Sequence, residues 1–114
     1  MAYPYGTFND EVKKIVARCG LLYARGVQST FSFDIPKDLF AFQPTAIHTD
    51  VCLMELAESF IKLKQEHPQV FYLWGHSYEF DTDNNWHIIE DFCKLISNKD
   101  DIYYATNAQA LLGV

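Results

Sequence analysis

The stretch Phe71-Tyr72-Leu73-Trp74-Gly75-His76-Ser77-Tyr78-Glu79-Phe80-Asp81 decides how this chain reads. Its first half is apolar and aromatic, the composition of a buried strand. Gly75 stops that strand, and His76, Ser77, Glu79 and Asp81 follow in quick succession, ahead of a helix-like segment. β/α folds place their chemistry at this point, at the carboxyl end of a strand before a helix. Tyr3-Pro4-Tyr5-Gly6 repeats the layout and runs straight into a helix, with no strand ahead of it in the sequence. The chain is therefore expected to begin inside an active-site loop.

Outward from these two points, helices and short strands alternate. A helix is expected over about Asn9 to Cys19, with Val12, Ile15, Val16 and Cys19 as its apolar stripe and Gly20 as its stop. Thr7 or Asn9 suits its cap, and Asp10 and Glu11 suit the positive end of its dipole. Leu21 to Arg25 reads as a short strand, and Gly26 to Phe42 as a long loop with room for one short strand. Thr45 to Thr49 reads as another strand, with Asp50 capping a second helix over about Val51 to Gln65 that Pro68 ends. Gln69 to Gly75 is the central strand. A third helix is expected over about Asn84 to Ser97, capped by Asp83 or Asn84, then a strand over Ile102 to Ala105 and a brief helix from Thr106 to Leu112. This order implies an α/β fold, parallel strands with helices packed outside them.

The length of 114 residues allows one domain, 1–114. Aromatic residues make up 16% of the chain, a share that fits a sugar-binding cleft and equally a well-filled core. A net charge of -6, with nine scattered Lys and Arg, argues against nucleic acid as a partner, because phosphate binding needs clustered cations. Cys19, Cys52 and Cys93 show no C-x-x-C spacing. Each falls in a helix-like pattern, so three buried free thiols are expected, in keeping with a cytoplasmic, reducing setting. No signal peptide opens the chain and no apolar run reaches membrane-spanning length, so no membrane partner is expected, although a region ahead of Met1 would have room for a targeting segment.

His76 is the best candidate for chemistry, because imidazole titrates near neutrality and can pass a proton to a leaving group. Glu79 and Asp81 follow on the same loop and are placed to orient it or to act as ordinary loop acids and caps. His48 and Asp50 form an H-x-D pair that a strand would put on one face, half of a metal site; Asp50 serves equally as a helix cap. His67 and His87 read as surface residues. Tyr3-Pro4-Tyr5-Gly6 is stiff and aromatic, suited to a ligand or to a tight turn with core tyrosines. No G-x-S-x-G, G-x-G-x-x-G or P-loop pattern occurs.

Two of these motifs carry a resemblance. Tyr3-Pro4-Tyr5-Gly6-Thr7-Phe8-Asn9, with the helix and Leu21-Leu22-Tyr23-Ala24-Arg25 after it, resembles the third signature region of polysaccharide deacetylases, the NodB homology domain. Phe71 to Phe80 is similar to the last signature, an apolar strand ending in a functional histidine. The resemblance covers essentially the whole chain, as the carboxyl-terminal half of that domain. It implies part of an irregular TIM-like (β/α) barrel that removes acetyl groups from carbohydrates with a divalent metal, usually zinc. It also implies His76 as the general acid and Tyr5 as a backbone N–H donor to the oxyanion. Leu73 and Trp74 would shape the pocket for the acetyl methyl, with Tyr3 and Pro4 beside the substrate.

The departures are specific. Ala2 stands where the family commonly has an arginine, and Trp74-Gly75 precede His76 in place of a tight leucine-x-histidine. The aspartate and histidine pairs that supply base and metal ligands have no counterpart in these residues, so the chain alone is expected to be inactive and to bind no metal. A homo-oligomer or a missing amino-terminal half is the expected partner. The alternative is a non-catalytic carbohydrate-binding or oligomeric interaction module.

Overall fold

In the computed structural model, which describes residues 1–64 and 66–114, two strands pair in parallel. They are β1 (Ala46–Ile47) and β2 (Leu73–Trp74), with Ala46 opposite Leu73 and Ile47 opposite Trp74. Two isolated parallel bridges extend the pattern, Ala2 to Arg25 and Arg25 to Phe42. The parallel partners thus follow chain order, and parallel neighbours require a crossover between them. α1 (Asp10–Arg18) supplies the crossover from Ala2 to Arg25, and α2 (Leu53–Ile61) the one from β1 to β2. The segment from Gly26 to Phe42 crosses without a helix or strand, as its lack of a period implies. Among the described residues the strands close no barrel, and no helix is long and apolar enough to cross a membrane.

α3 (Ser77–Thr82), α4 (His87–Ile96) and α5 (Asn107–Leu112) complete the chain. Apolar contacts gather in two cores. Val16 of α1 packs with Tyr3 and Ala24, backed by Phe8, Val12 and Phe40. Leu53 and Ala57 of α2 meet Phe92 of α4 over Ala46, with Phe71 and Leu73 against them. Burial of each large apolar side chain there contributes roughly 1.5–3 kcal/mol. Tyr3, Ala24, Ala46 and Leu73 therefore face the helices. Their neighbours point the other way, as strand alternation demands: Arg25 meets Trp74, and Phe42 packs edge-on against Tyr72 at 4.7 Å. The extents of 40 × 39 × 21 Å fit this arrangement. The short axis holds one helix layer, about 10–12 Å across, and little more than the strands beneath it.

Local chemistry explains the ends that match expectation. Asn9 Oδ1 accepts from the Val12 N–H at 2.9 Å, Asp10 and Glu11 occupy the first turn, and Gly20 leaves α1 at φ 82°, where a side chain would be strained. Thr106 and Gln109 form a reciprocal capping box on α5.

Other expectations need correction. The second helix starts at Leu53 and ends at Ile61, and its expected end at Gln65 lies outside the described residues. Asp50 does not cap it through its side chain. The carboxylate instead accepts from the Ile47 N–H at 2.9 Å and the Ser29 hydroxyl at 2.6 Å. The third helix starts at His87, behind Trp86, and neither Asp83 nor Asn84 caps it; Asn84 sits in the left-handed region at φ 50°. Leu21 to Arg25 reduces to the single bridge at Arg25. Ile102 to Ala105 forms no strand, because no partner edge reaches it; Tyr103 and Tyr104 are exposed. Cys19 and Cys93 are exposed and Cys52 half-buried, because the stripes of α1 and α4 are narrower than their apolar residues suggest. Ile15 is exposed for the same reason. The argument from buried thiols to a reducing compartment loses its footing.

Candidate functional site

The site forms where β1 and β2 end together. His48 follows β1 directly, and its N–H donates to the Trp74 carbonyl at 3.1 Å, which fixes the two strand ends side by side. Gly75 follows β2. A methyl group on Gly75 would collide with the His48 imidazole, so only glycine lets that ring lie across the backbone. His48 is 2% exposed. Phe80 of α3 covers it, with ring centroids 4.5 Å apart, and Trp86 packs behind Phe80 at 4.9 Å.

His76 occupies the position just before α3, half-exposed. Its ring meets Trp74 edge-on at 5.4 Å and Tyr78 at 5.5 Å. Glu79 lies one turn into α3 and aims a single oxygen between the two histidines. Its Oε2 is 3.6 Å from His48 Nε2 and 3.5 Å from His76 Nδ1. Both distances lie just beyond an ordinary hydrogen bond. Among the described residues, neither ring nitrogen of His48 has a hydrogen-bond partner, nor does Trp74 Nε1. Each such buried group costs about 1–3 kcal/mol unless it is satisfied.

The Arg25 guanidinium stacks on the Trp74 ring at 4.5 Å and donates to the Gly26 carbonyl. A cation over an aromatic face is favourable by roughly 0.5–2 kcal/mol. Arg25, His48, Trp74, Gly75 and Phe80 border a cleft of about 530 Å³ that Tyr72, Leu73, Ser77 and Asn107 also line. Asn107 Nδ2 donates to the Tyr72 hydroxyl at 3.1 Å, which ties α5 to the rim. An aromatic wall with a few polar tips suits an amphipathic ligand such as a sugar ring. The His76 imidazole lies against Trp74, beside the cleft and outside its lining, and is the half-exposed group able to exchange a proton.

The residues of the amino-terminal turn lie differently. Tyr3 is buried; its hydroxyl donates to the Phe40 carbonyl at 2.8 Å and its ring stacks on Phe8. Burial, and secondarily the negative charge of Asp38, pushes its phenol pKa up, against the opposing effect of Lys13. Pro4 and Tyr5 form an exposed 3₁₀ turn. Tyr5 stands at φ 55°, ψ 12°, a left-handed conformation that costs a non-glycine residue roughly 1–2 kcal/mol. Its N–H donates to no other group among the described residues. Strain of this sort concentrates at functional sites.

Sequence reasoning singled out His76, Leu73 and Trp74, and the structure gathers Leu73 and Trp74 in the cleft wall with His76 beside Trp74. It paired His48 with Asp50, whereas the fold pairs His48 with Glu79 and turns Asp50 toward Ile47 and Ser29. Arg25 and Phe80 end the two stretches that carry the resemblance but were given no role there; the further signal for Arg25 was its place at the end of an expected strand. Among the described residues, no three His, Cys, Asp or Glu side chains gather in a set fit to hold a metal ion. The zinc implied by the resemblance thus finds no ligand set in these residues. No protein-family model, curated protein or solved structure matches the chain.

Proposed function

We propose that this chain is the carboxyl-terminal portion of a metal-dependent polysaccharide deacetylase-like domain, hydrolysing the N-acetyl or O-acetyl group of a carbohydrate. The observation that carries this reading is His76 at the end of β2, with Trp74 against it and the cleft beside them. In this reading His76 protonates the leaving group as the carbon–nitrogen bond breaks. Leu73 and Trp74 wall the acetyl pocket, and the uncommitted Tyr5 N–H meets the oxyanion. Tyr3 acts from the core, holding Pro4 and Tyr5 in place.

The remaining requirements lie outside these residues. A water-activating base and a metal-ligand set must come from an amino-terminal half or another chain, since hydrolysis needs an activated nucleophile. The outer edge of β2 pairs with no strand among the described residues and would receive the next strand, from that half or a second copy.

Titration with chitin oligomers and acetylated xylan oligomers, followed by NMR, tests the reading, with acetate release measured in zinc, cobalt or nickel. Shifts centred on the Trp74 indole and His76 ring, abolished in Trp74→Ala, are expected, with no acetate released. Shifts confined to other surfaces, or none, would overturn the site. Turnover by the chain alone that vanishes in His76→Ala would overturn its dependence on a missing half. Tyr78, 64% exposed and flanking His76, also favours a second reading, a non-catalytic carbohydrate-binding module. Sugar affinity unchanged in His76→Ala, with no turnover once the missing half is supplied, would favour it.

A further inference from the structure

We infer that Glu79 is a positioning residue for His76, and that the buried His48 anchors Glu79 from its other side. The inference rests on the proposed role of His76 as the acid. One carboxylate oxygen, Oε2, faces His48 Nε2 at 3.6 Å and His76 Nδ1 at 3.5 Å. That oxygen is buried and has no hydrogen-bond partner among the described residues. A carboxylate only accepts, so each imidazole must present an N–H to it. This fixes both tautomers: His48 carries its proton on Nε2, and His76 carries one on Nδ1.

The neighbours leave His48 little alternative. Gly75 lies against its Nδ1 side, and Phe80 covers the ring. His48 is 2% exposed, so its nitrogens cannot turn to water, and Nε2–H finds its acceptor in Glu79.

The consequence for His76 is directional. With Nδ1–H held by Glu79, Nε2 is left as the nitrogen that gives up a proton. When it does so to a leaving amine, the Nε2–H bond breaks and its electron pair stays on the ring. The amine N–H bond forms, and Nδ1–H remains in place. No proton passes to Glu79. The carboxylate sets the orientation of the ring, as a second partner commonly does for a histidine.

The test is the tautomer of each histidine, read by long-range ¹H–¹⁵N correlation on the full chain at about pH 8.5, above the ordinary imidazole range. The chain has four histidines. Exposed His67 and His87 report the solution mixture. In the wild type, His76 should be mainly Nδ1–H and His48 mainly Nε2–H. Glu79→Ala should return His76 to the mixture of His67 and His87. Glu79→Gln, whose amide oxygen can still accept, should keep the wild-type pattern if the role is positional. Circular dichroism of each variant reports the fold. The inference is overturned if wild-type His76 matches His67 and His87, if His48 carries its proton on Nδ1, or if a folded Glu79→Ala leaves His76 unchanged. None of these outcomes depends on sugar binding or turnover, so the positioning role and the deacetylase reading fail separately.

Discussion

Substituting alanine for Gly75 tests the geometry on which the site rests. The added methyl falls 3.1 Å from His48 Cε1 and 3.2 Å from Cγ, and closer still to Nδ1. Heavy atoms pack best at about 3.5–4.0 Å, and the Nδ1 contact is the tightest, so the ring must retreat by about an ångström. It has little room, because Phe80 stacks on it and 98% of the residue is already covered. Overpacking of this kind costs about 1–3 kcal/mol. Against it stands a gain of about 0.4–1 kcal/mol from the reduced freedom of the unfolded chain. Gly75 is not in the left-handed region, so no backbone strain adds to the balance. The net expectation is a loss of about 0.5–2 kcal/mol, measured by urea unfolding with circular dichroism. A cycle with His48→Ala sharpens the test. With the imidazole gone the methyl has space, so Gly75→Ala should cost about 1 kcal/mol less in that background. A Gly75→Ala chain as stable as the wild type would refute the reasoning. So would effects that add to within about 0.3–0.5 kcal/mol across the cycle.

Two further expectations concern the frame around the site. Lys13 Nζ lies 2.8 Å from Asp38 Oδ2, and the Phe40 N–H donates to the other oxygen. The lysine, then that N–H, holds the Asp38 carboxyl below its ordinary range, and Asp38, then Asp10, holds Lys13 above its own. The Asp38 contribution is therefore present above the unfolded value of about 3.9 and lost as pH falls through the lower folded value. The Lys13 contribution is present below about pH 10.4 and lost as pH rises through its raised folded value. Asp38→Asn should remove that part of the acid-side loss, so melting temperatures of the two chains should converge below about pH 4; parallel curves would argue against the pair. Thr106→Ala should remove the capping box of α5 at a cost of about 0.5–2 kcal/mol, seen as faster hydrogen exchange at the Ala110 and Gly113 amides. Unchanged exchange there would show that the Tyr72–Asn107 contact alone holds the helix.

What the sequence reveals and what it hides divide along the range of the interactions. α1 and α5 are legible because their signals are local: Asn9 caps three residues ahead, and Thr106 and Gln109 cap each other. The strands are legible in place but not in extent: Thr45 to Thr49 and Gln69 to Gly75 hold β1 and β2, but a strand reaches only as far as a second segment pairs with it. Ile102 to Ala105 has strand composition and no partner among the described residues, whereas the expected strand from Leu21 to Arg25 keeps only its last residue, which bridges on either side. α3 was hidden by its own chemistry, since His76, Glu79 and Asp81 read as loop acids and a base, not as one helix and the residue before it. The same division runs through the site. His76 and Trp74 stand out because a strand end followed by glycine and histidine is a local pattern. His48 stood out for its neighbour Asp50, but a spacing of two binds side chains only on an extended strand, and the chain turns at Thr49. Its real partner is 31 positions away and is set by the pairing of Ile47 with Trp74. Once that register is known, the rest follows with few further assumptions. Arg25, His48 and His76 lie at or just beyond the paired residue of their own segment, so parallel pairing delivers them to one end. Glu79, one helical turn beyond His76, then has both imidazoles within reach.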